Sequence, residues 1–133
     1  MDICFHSIGH VRTATADSAI PHHWSASDIE GTLDIHPRYR EGARDIQAGQ
    51  KIVVLFHFDR SPPFSDDLLT QIPRQRRHRK GVFSICTPKR PNAIGMSVLS
   101  VLSVDGGRIR VKGVDMFDGT PIFDIKPYVA AEY

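Results

Sequence analysis

Ile94-Gly95-Met96-Ser97-Val98-Leu99-Ser100-Val101-Leu102-Ser103-Val104, then Asp105-Gly106-Gly107, then Arg108-Ile109-Arg110-Val111-Lys112-Gly113-Val114 is the stretch that decides the fold. Met96, Val98, Val101, Leu102 and Val104 mark a long strand, and the return from Arg108 alternates strictly between apolar and polar residues. Asp105-Gly106-Gly107 between them supplies the positive φ angles of a tight hairpin. Working outward, Ile52-Val53-Val54-Leu55-Phe56-His57-Phe58 is a continuous apolar run, which predicts a strand buried on both faces. Thr32-Leu33-Asp34-Ile35-His36 alternates and stops at Pro37, and residues 122–125 form a strand between the Asp118-Gly119 turn and Pro127. Residues 3–11 predict a first strand with imperfect alternation, and residues 81–85 a short one. Residues 12–29, with Pro21 and His22-His23-Trp24, predict a loop, and residues 38–49 a short helical stretch. Residues 64–71 predict two turns of helix, with Ser65 as cap, Asp66 and Asp67 in the first turn and Pro73 as the stop. Strands at this spacing, joined by turns and not by long helices, predict a mainly β chain. Its expected form is a small antiparallel single-sheet β-barrel with one or two short helices, unlike the doubly wound nucleotide-binding folds.

The 133 residues, 41% hydrophobic and 24% charged, fit one domain over residues 1–133. No apolar run is long enough to span a membrane, and Met1-Asp2-Ile3-Cys4-Phe5-His6 lacks the basic-then-apolar layout of a secretory leader, which predicts a cytoplasmic protein. Two cysteines, Cys4 and Cys86, make no disulfide framework. Seven basic residues and no acid lie between Arg74 and Arg90, so the remainder, with 10 basic and 15 acidic residues, carries −5 although the whole chain carries +2.

Three constellations carry candidate chemistry. In the first, Pro73-Arg74-Gln75-Arg76-Arg77-His78-Arg79-Lys80, five crowded charges repel one another until an anionic polymer neutralises them and releases counterions. That makes Arg74, Arg76, Arg77, Arg79 and Lys80 nucleic-acid contacts, the plain alternative being a solvated loop. In the second, Thr87-Pro88-Lys89-Arg90-Pro91-Asn92-Ala93-Ile94-Gly95-Met96-Ser97, two prolines stiffen the Lys89-Arg90 pair. Asn92 suits an Asx-type turn and Gly95 a close backbone approach. The third runs from Asp115 to Tyr128 and holds three carboxylates, a lysine and a phenol; Asp124 and Lys126 share a face of a strand. No phosphate-binding glycine loop, no dinucleotide fingerprint and no serine-hydrolase elbow occurs. The seven histidines and two cysteines show no zinc spacing, so no metal is expected.

Taken together, Gly81-Val82-Phe83-Ser84, Pro88-Lys89-Arg90-Pro91-Asn92-Ala93-Ile94-Gly95-Met96-Ser97-Val98, Asp118-Gly119-Thr120-Pro121 and Asp124-Ile125-Lys126-Pro127-Tyr128 resemble the TrmO, or TsaA-like, family. The resemblance extends from Ile8-Gly9 to Tyr128. It implies a single-sheet barrel, a homodimer with the methyl donor near the subunit interface, and methylation by S-adenosylmethionine of N6 of threonylcarbamoyladenosine at tRNA position 37. It also implies a short form without the additional C-terminal domain of longer members. The implied donor pocket takes Phe83, Arg90, Asn92, Gly95 and Ser97 from one motif and Asp118, Thr120, Asp124, Lys126 and Tyr128 from the other. The accepting nitrogen must lose a proton, and Asp115, Asp118, Tyr128 or water is the candidate acceptor. Cys86 stands where the family commonly has an arginine, and Ala48-Gly49-Gln50-Lys51 where members often read Phe-Ser-His. Two other readings keep the same fold: the same donor with a small-molecule or other RNA acceptor, and a non-catalytic module that binds RNA or senses the donor.

Overall fold

The computed structural model describes residues 1–129, and these divide into two compact units, one of residues 1–56 with 96–129 and one of residues 57–95. The first unit is built around six antiparallel strands: β1 (Gly9–Arg12), β2 (Glu30–Ile35), β3 (Lys51–His57), and the strands here numbered β4 (Ile94–Asp105), β5 (Arg108–Lys112) and β6 (Pro121–Pro127). Their hydrogen-bonded order is β1-β2-β5-β4-β3-β6, and β6 pairs back onto β1 through Gly9↔Ile122 and His10↔Pro121.

The β4–β5 hairpin forms as the alternation predicts, with Val101 opposite Val111 and Val104 opposite Ile109. Only Gly106 takes a positive φ, 59°, the pattern of a turn that needs glycine at its first central position. At Gly107 space matters instead: a Cβ there would lie 2.1 Å from Arg40 Nε and would displace that side chain, which donates to Ile35 O at 3.0 Å. The register shifts between Val101 and Ser103, so Leu102 is an extra, exposed residue at a bulge. At that bulge the alternation of burial along the strand breaks, Val101 lying inside and both Leu102 and Ser103 outside.

Burial in β3 alternates, with Ile52, Val54 and Phe56 inside and Val53 and Leu55 half-covered. The expectation of burial on both faces is therefore corrected: the antiparallel sheet has one face on the core and, among the described residues, no helix layer over the other. Val11, Leu33, Leu99, Ile109 and Ile122 complete the interior, each fully buried. Each stabilises the fold by about 1.5–3 kcal/mol relative to its exposed state.

Other expectations shift as well. The first strand covers Gly9–Arg12 and not residues 3–11, because β2 offers partners only for that span; Ile3 and Phe5 are exposed, and the Phe5 ring meets that of Phe123 at 5.3 Å. The last strand is longer than residues 122–125. Among the described residues every helical segment is a short 3₁₀ turn, including Pro37–Ala43. Residues 64–71 yield only Asp66–Leu69, with Ser65 at the N-cap but no side-chain bond to the helix backbone. Thr70 and Gln71 are taken into a strand pair with Lys80–Gly81, and the four residues left, Asp66–Leu69, are too few for α-helical hydrogen bonds to repeat.

The second unit carries a two-stranded antiparallel pair, β4′ (Thr70–Gln71) with β5′ (Lys80–Gly81). Residues 81–85 are therefore not one strand: β5′ ends at Gly81 and a 3₁₀ turn, Val82–Ser84, follows.

Gly9 is where the β1–β2 ladder is tightest, since a Cβ would lie 2.3 Å from Asp34 O and 3.0 Å from Ile35 Cα, both backbone. Gly9→Ala is expected to lower stability by about 1–3 kcal/mol in urea unfolding, through forced separation of the strands. Gly42→Ala, with open space around it, serves as the control and should stay near wild type.

Candidate functional site

A cavity of about 590 Å³ opens at one end of the six strands in the first unit. The start of β1, the end of β2, the start of β3 and the end of β6 meet there because these antiparallel neighbours place those termini together. Its apolar wall is Ile8, Ile35, Ala43, Ile46, Ile52 and Ile125, and its polar groups include Tyr39, Lys51, Asp124, Lys126 and Tyr128. The volume and the mixture of aliphatic wall and few polar groups suit a small organic molecule.

Asp124 is held in place from two directions. Its Oδ1 accepts from Ile125 N at 2.8 Å and its Oδ2 lies 3.2 Å from Lys126 Nζ. Both charged side chains are about half exposed, so the pair adds little to stability. It presents opposite charges side by side at the mouth of an apolar hollow, as the shared strand face predicts.

The other residues expected in the donor pocket lie elsewhere. Ser97, Asp115, Asp118 and Thr120 sit at the start of β4, after β5 and before β6, the end of the strands away from the cavity, where β2 begins. There, Asp118 Oδ1 accepts from Thr13 N at 3.0 Å, and buried Thr120 donates its hydroxyl to Phe117 O at 2.7 Å. Gly119 takes φ 85°, as expected of the Asp118-Gly119 turn. Fully buried Ser97 donates its hydroxyl to Asp115 Oδ1 at 2.5 Å. Burial raises the Asp115 pKa from its ordinary 3.8, while the Ser97 hydrogen bond, backbone amides at Asp115 and Trp24 and the charge of His23 pull it down.

In the second unit, Arg90 Nη1 donates to Ile85 O at 2.9 Å and Thr87 O at 3.2 Å, so that this guanidinium braces its own loop. Asn92 is exposed and turns the chain through its backbone, its carbonyl accepting from Ile94 N at 2.7 Å; Gly95 is buried. Phe83 is 80% exposed. Arg74, Arg76, Arg77, Arg79 and Lys80 are all exposed, and Arg79 Nη1 donates to Thr70 O at 2.8 Å across the β4′–β5′ pair. Both cysteines are free and exposed. Among the described residues no group of three His, Cys, Asp or Glu is placed to hold a metal, and no helix is long and apolar enough to cross a membrane.

Sequence reading did not find Tyr39 or Lys51 as cavity residues. Tyr39 lies in a 3₁₀ turn, which has no amphipathic period to read, and Lys51 reaches the site only because β3 pairs with β6.

A mainly β chain of six antiparallel strands with a small-molecule cavity at one end is the class this geometry defines. The family model of the tRNA-methyltransferase O N-terminal domain matches residues 12–132, and the chain belongs to that family. It is 38% identical over 129 residues to a probable S-adenosyl-L-methionine-binding protein of Pyrococcus abyssi, covering 96% of this chain and 68% of that one. Over 77 residues it is 44% identical to the human tRNA (adenine(37)-N6)-methyltransferase, covering 58% of this chain but 18% of that protein. The crystal structure of TrmO from Pseudomonas aeruginosa superposes with a TM-score of 0.74 at 29% identity, covering 97% of this chain and 57% of that one. The chain thus spans little more than half of the solved TrmO chain and under a fifth of the human protein.

Because folding raises the Asp115 pKa, the native state keeps a proton that the unfolded chain has lost. The associated stability is fully present below 3.8 and declines as pH rises through the raised native value. Asp115→Asn retains an oxygen for Ser97 and cannot ionise. Urea unfolding at a series of pH values should show this variant gaining on wild type as pH increases above about 4; parallel curves would mean that the carboxyl titrates normally.

Proposed function

We propose that this chain is an S-adenosylmethionine-dependent methyltransferase whose acceptor is adenosine 37 of tRNA in its threonylcarbamoyl form, acting in the cytoplasm. The observation that carries the reading is the Asp124–Lys126 pair at the mouth of the cavity, within the family motif. The donor carries a sulfonium, an ammonium, a carboxylate and a ribose. Asp124 suits the ribose hydroxyls or the ammonium, Lys126 the carboxylate, and the rings of Tyr39 and Tyr128 the sulfonium or the adenine face. When bound, the donor supplies an electrophilic methyl group; the acceptor nitrogen forms the new C–N bond as the C–S bond breaks. Holding the two in line is the protein's main contribution. Of Asp115, Asp118 and Tyr128, only Tyr128 borders the cavity; its hydroxyl oxygen is the candidate for accepting a hydrogen bond from the acceptor N–H and so orienting the nitrogen, whose proton then passes to water.

The strand order, with β6 returning to β1, supports reading the fold as the small closed barrel of this family. A homodimer belongs to the same reading. β6 spans roughly 20 Å, so Thr120 and Asp118 before it and Tyr128 after it do not converge within one copy. Two copies would bring opposite ends of the strands to one donor, with the exposed Asp118 carboxylate of one copy as a further contact beside the Tyr128 end of the other. The half-covered Val53 and Leu55 on β3 and exposed Met96 and Leu102 on neighbouring β4 form an apolar outer face suited to a second copy.

Calorimetry with S-adenosylmethionine should show binding by wild type and at least tenfold weaker binding by Asp124→Asn and by Lys126→Ala, the usual cost of losing a charged hydrogen bond. Unchanged affinity in both would remove the donor from this cavity. Nucleoside mass spectrometry of tRNA treated with the protein and donor should show methylated threonylcarbamoyladenosine. Replacing Arg76 and Arg77 with alanine should weaken tRNA binding and reduce its salt slope by about 1–2.

A further inference from the structure

The second unit has a surface that the donor-binding reading leaves unused. Its residues 57–95 hold eight Lys and Arg against three Asp, a net +5, while the whole chain carries +2. Amid that charge stand four large exposed apolar side chains, Leu69 at 45%, Ile72 at 55%, Ile94 at 37% and, most exposed of them, Phe83 at 80%. Exposing a phenyl ring to this degree forfeits the stabilisation that burial would give it. Its backbone is nevertheless well anchored. Val82 beside it is 1% exposed, the turn Val82–Ser84 closes with Ile85 N donating to Val82 O, and the preceding Lys80–Gly81 pairs with Thr70–Gln71. The same strand pair carries the basic loop, and the Arg79 bond to Thr70 O braces its base.

A cationic loop and an anchored, solvent-facing ring three residues beyond its last lysine are the two parts of a single-stranded nucleic-acid site. Cations hold the phosphates, and the ring offers a face on which an unpaired base stacks. We propose that Phe83 is a stacking platform for an unpaired nucleobase of the RNA that the basic loop holds, and not a donor contact. This rests on the RNA-acceptor reading above. The charge of this unit selects a polyanion, and the aromatic face selects one with exposed bases. A paired helix hides its base faces, so Phe83 would favour a loop over a stem.

Fluorescence anisotropy with two labelled RNAs, a hairpin with an unpaired loop and a fully paired duplex of similar length, tests this. Phe83→Ala should weaken hairpin binding roughly tenfold at every salt concentration without changing the salt slope, and should leave duplex binding unaltered. Phe83→Tyr should restore the hairpin affinity. Arg76→Ala with Arg77→Ala should instead lower the slope for both RNAs. If Phe83→Ala binds the hairpin like wild type while the arginine variant does not, the platform is overturned and the RNA reading stands. Loss of S-adenosylmethionine binding by Phe83→Ala, with hairpin affinity kept, returns the ring to the donor site and also overturns it. Failure of the wild-type protein to bind either RNA overturns the acceptor reading and the platform together.

Discussion

The pairing of β6 with both β3 and β1 is the constraint on which the rest of the first unit depends. Through Val54↔Ile125 and Leu55↔Asp124 on one side and Gly9↔Ile122 on the other, this strand joins the earliest part of the chain to its middle. Each of those ladders joins residues far apart in sequence, so none forms without the chain-ordering cost of a long loop. Once formed, they give Ile52, Val54, Phe56 and Ile122 a common interior and bring four strand termini to one end. The cavity is a by-product of that meeting. Its walls combine paired residues, among them Ile35, Ile52 and Ile125, with residues that flank the strands, Ile8 and Tyr128, and the turn Pro37–Ala43 carries the β2–β3 connection past it.

The opposite end of the strands shows what polar residues do when they serve the fold. Asp118 accepts from the Thr13 amide, Thr120 donates to the Phe117 carbonyl, and Ser97 donates to Asp115. For buried Ser97 and Thr120 the bond removes a cost of about 1–3 kcal/mol that an unpartnered buried hydroxyl would impose, whereas the exposed Asp118 bond fixes the turn and contributes less. Asp124 and Lys126 differ: half exposed and paired with each other, they satisfy no buried group apart from the Ile125 amide. The same residue types thus divide by what their removal would leave behind.

Much of the fold was legible because period-two alternation survives where one sheet face is buried. The β4–β5 hairpin, the strand at Leu33 and Ile35 and the shared face of Asp124 and Lys126 all follow from it. The bulge at Leu102 left a trace, a broken alternation, but its register depends on the partner strand. The apolar run of residues 52–58 is ambiguous for a physical reason: an apolar outer position looks the same whether helices, a second copy or solvent lies over it. The cavity was legible only in its β6 residues, since Tyr39 and Lys51 arrive by long-range pairing.

The charge pattern gains a physical explanation from the division of the chain. With +5 on residues 57–95 and a total of +2, the remainder carries −3. On the proposed reading, a polyanion and a small donor with charges of both signs impose opposite requirements. The first needs dense, exposed, like charge, which raises the free energy of any compact unit that carries it. The second needs a few charges of both signs beside apolar walls. Concentrating the cations on the loop of a short strand pair, braced by Arg79 at Thr70, confines the repulsion to exposed side chains. The core strands are then free to be apolar, and the cavity at their end retains the Asp124 carboxylate and the Lys126 ammonium in balance.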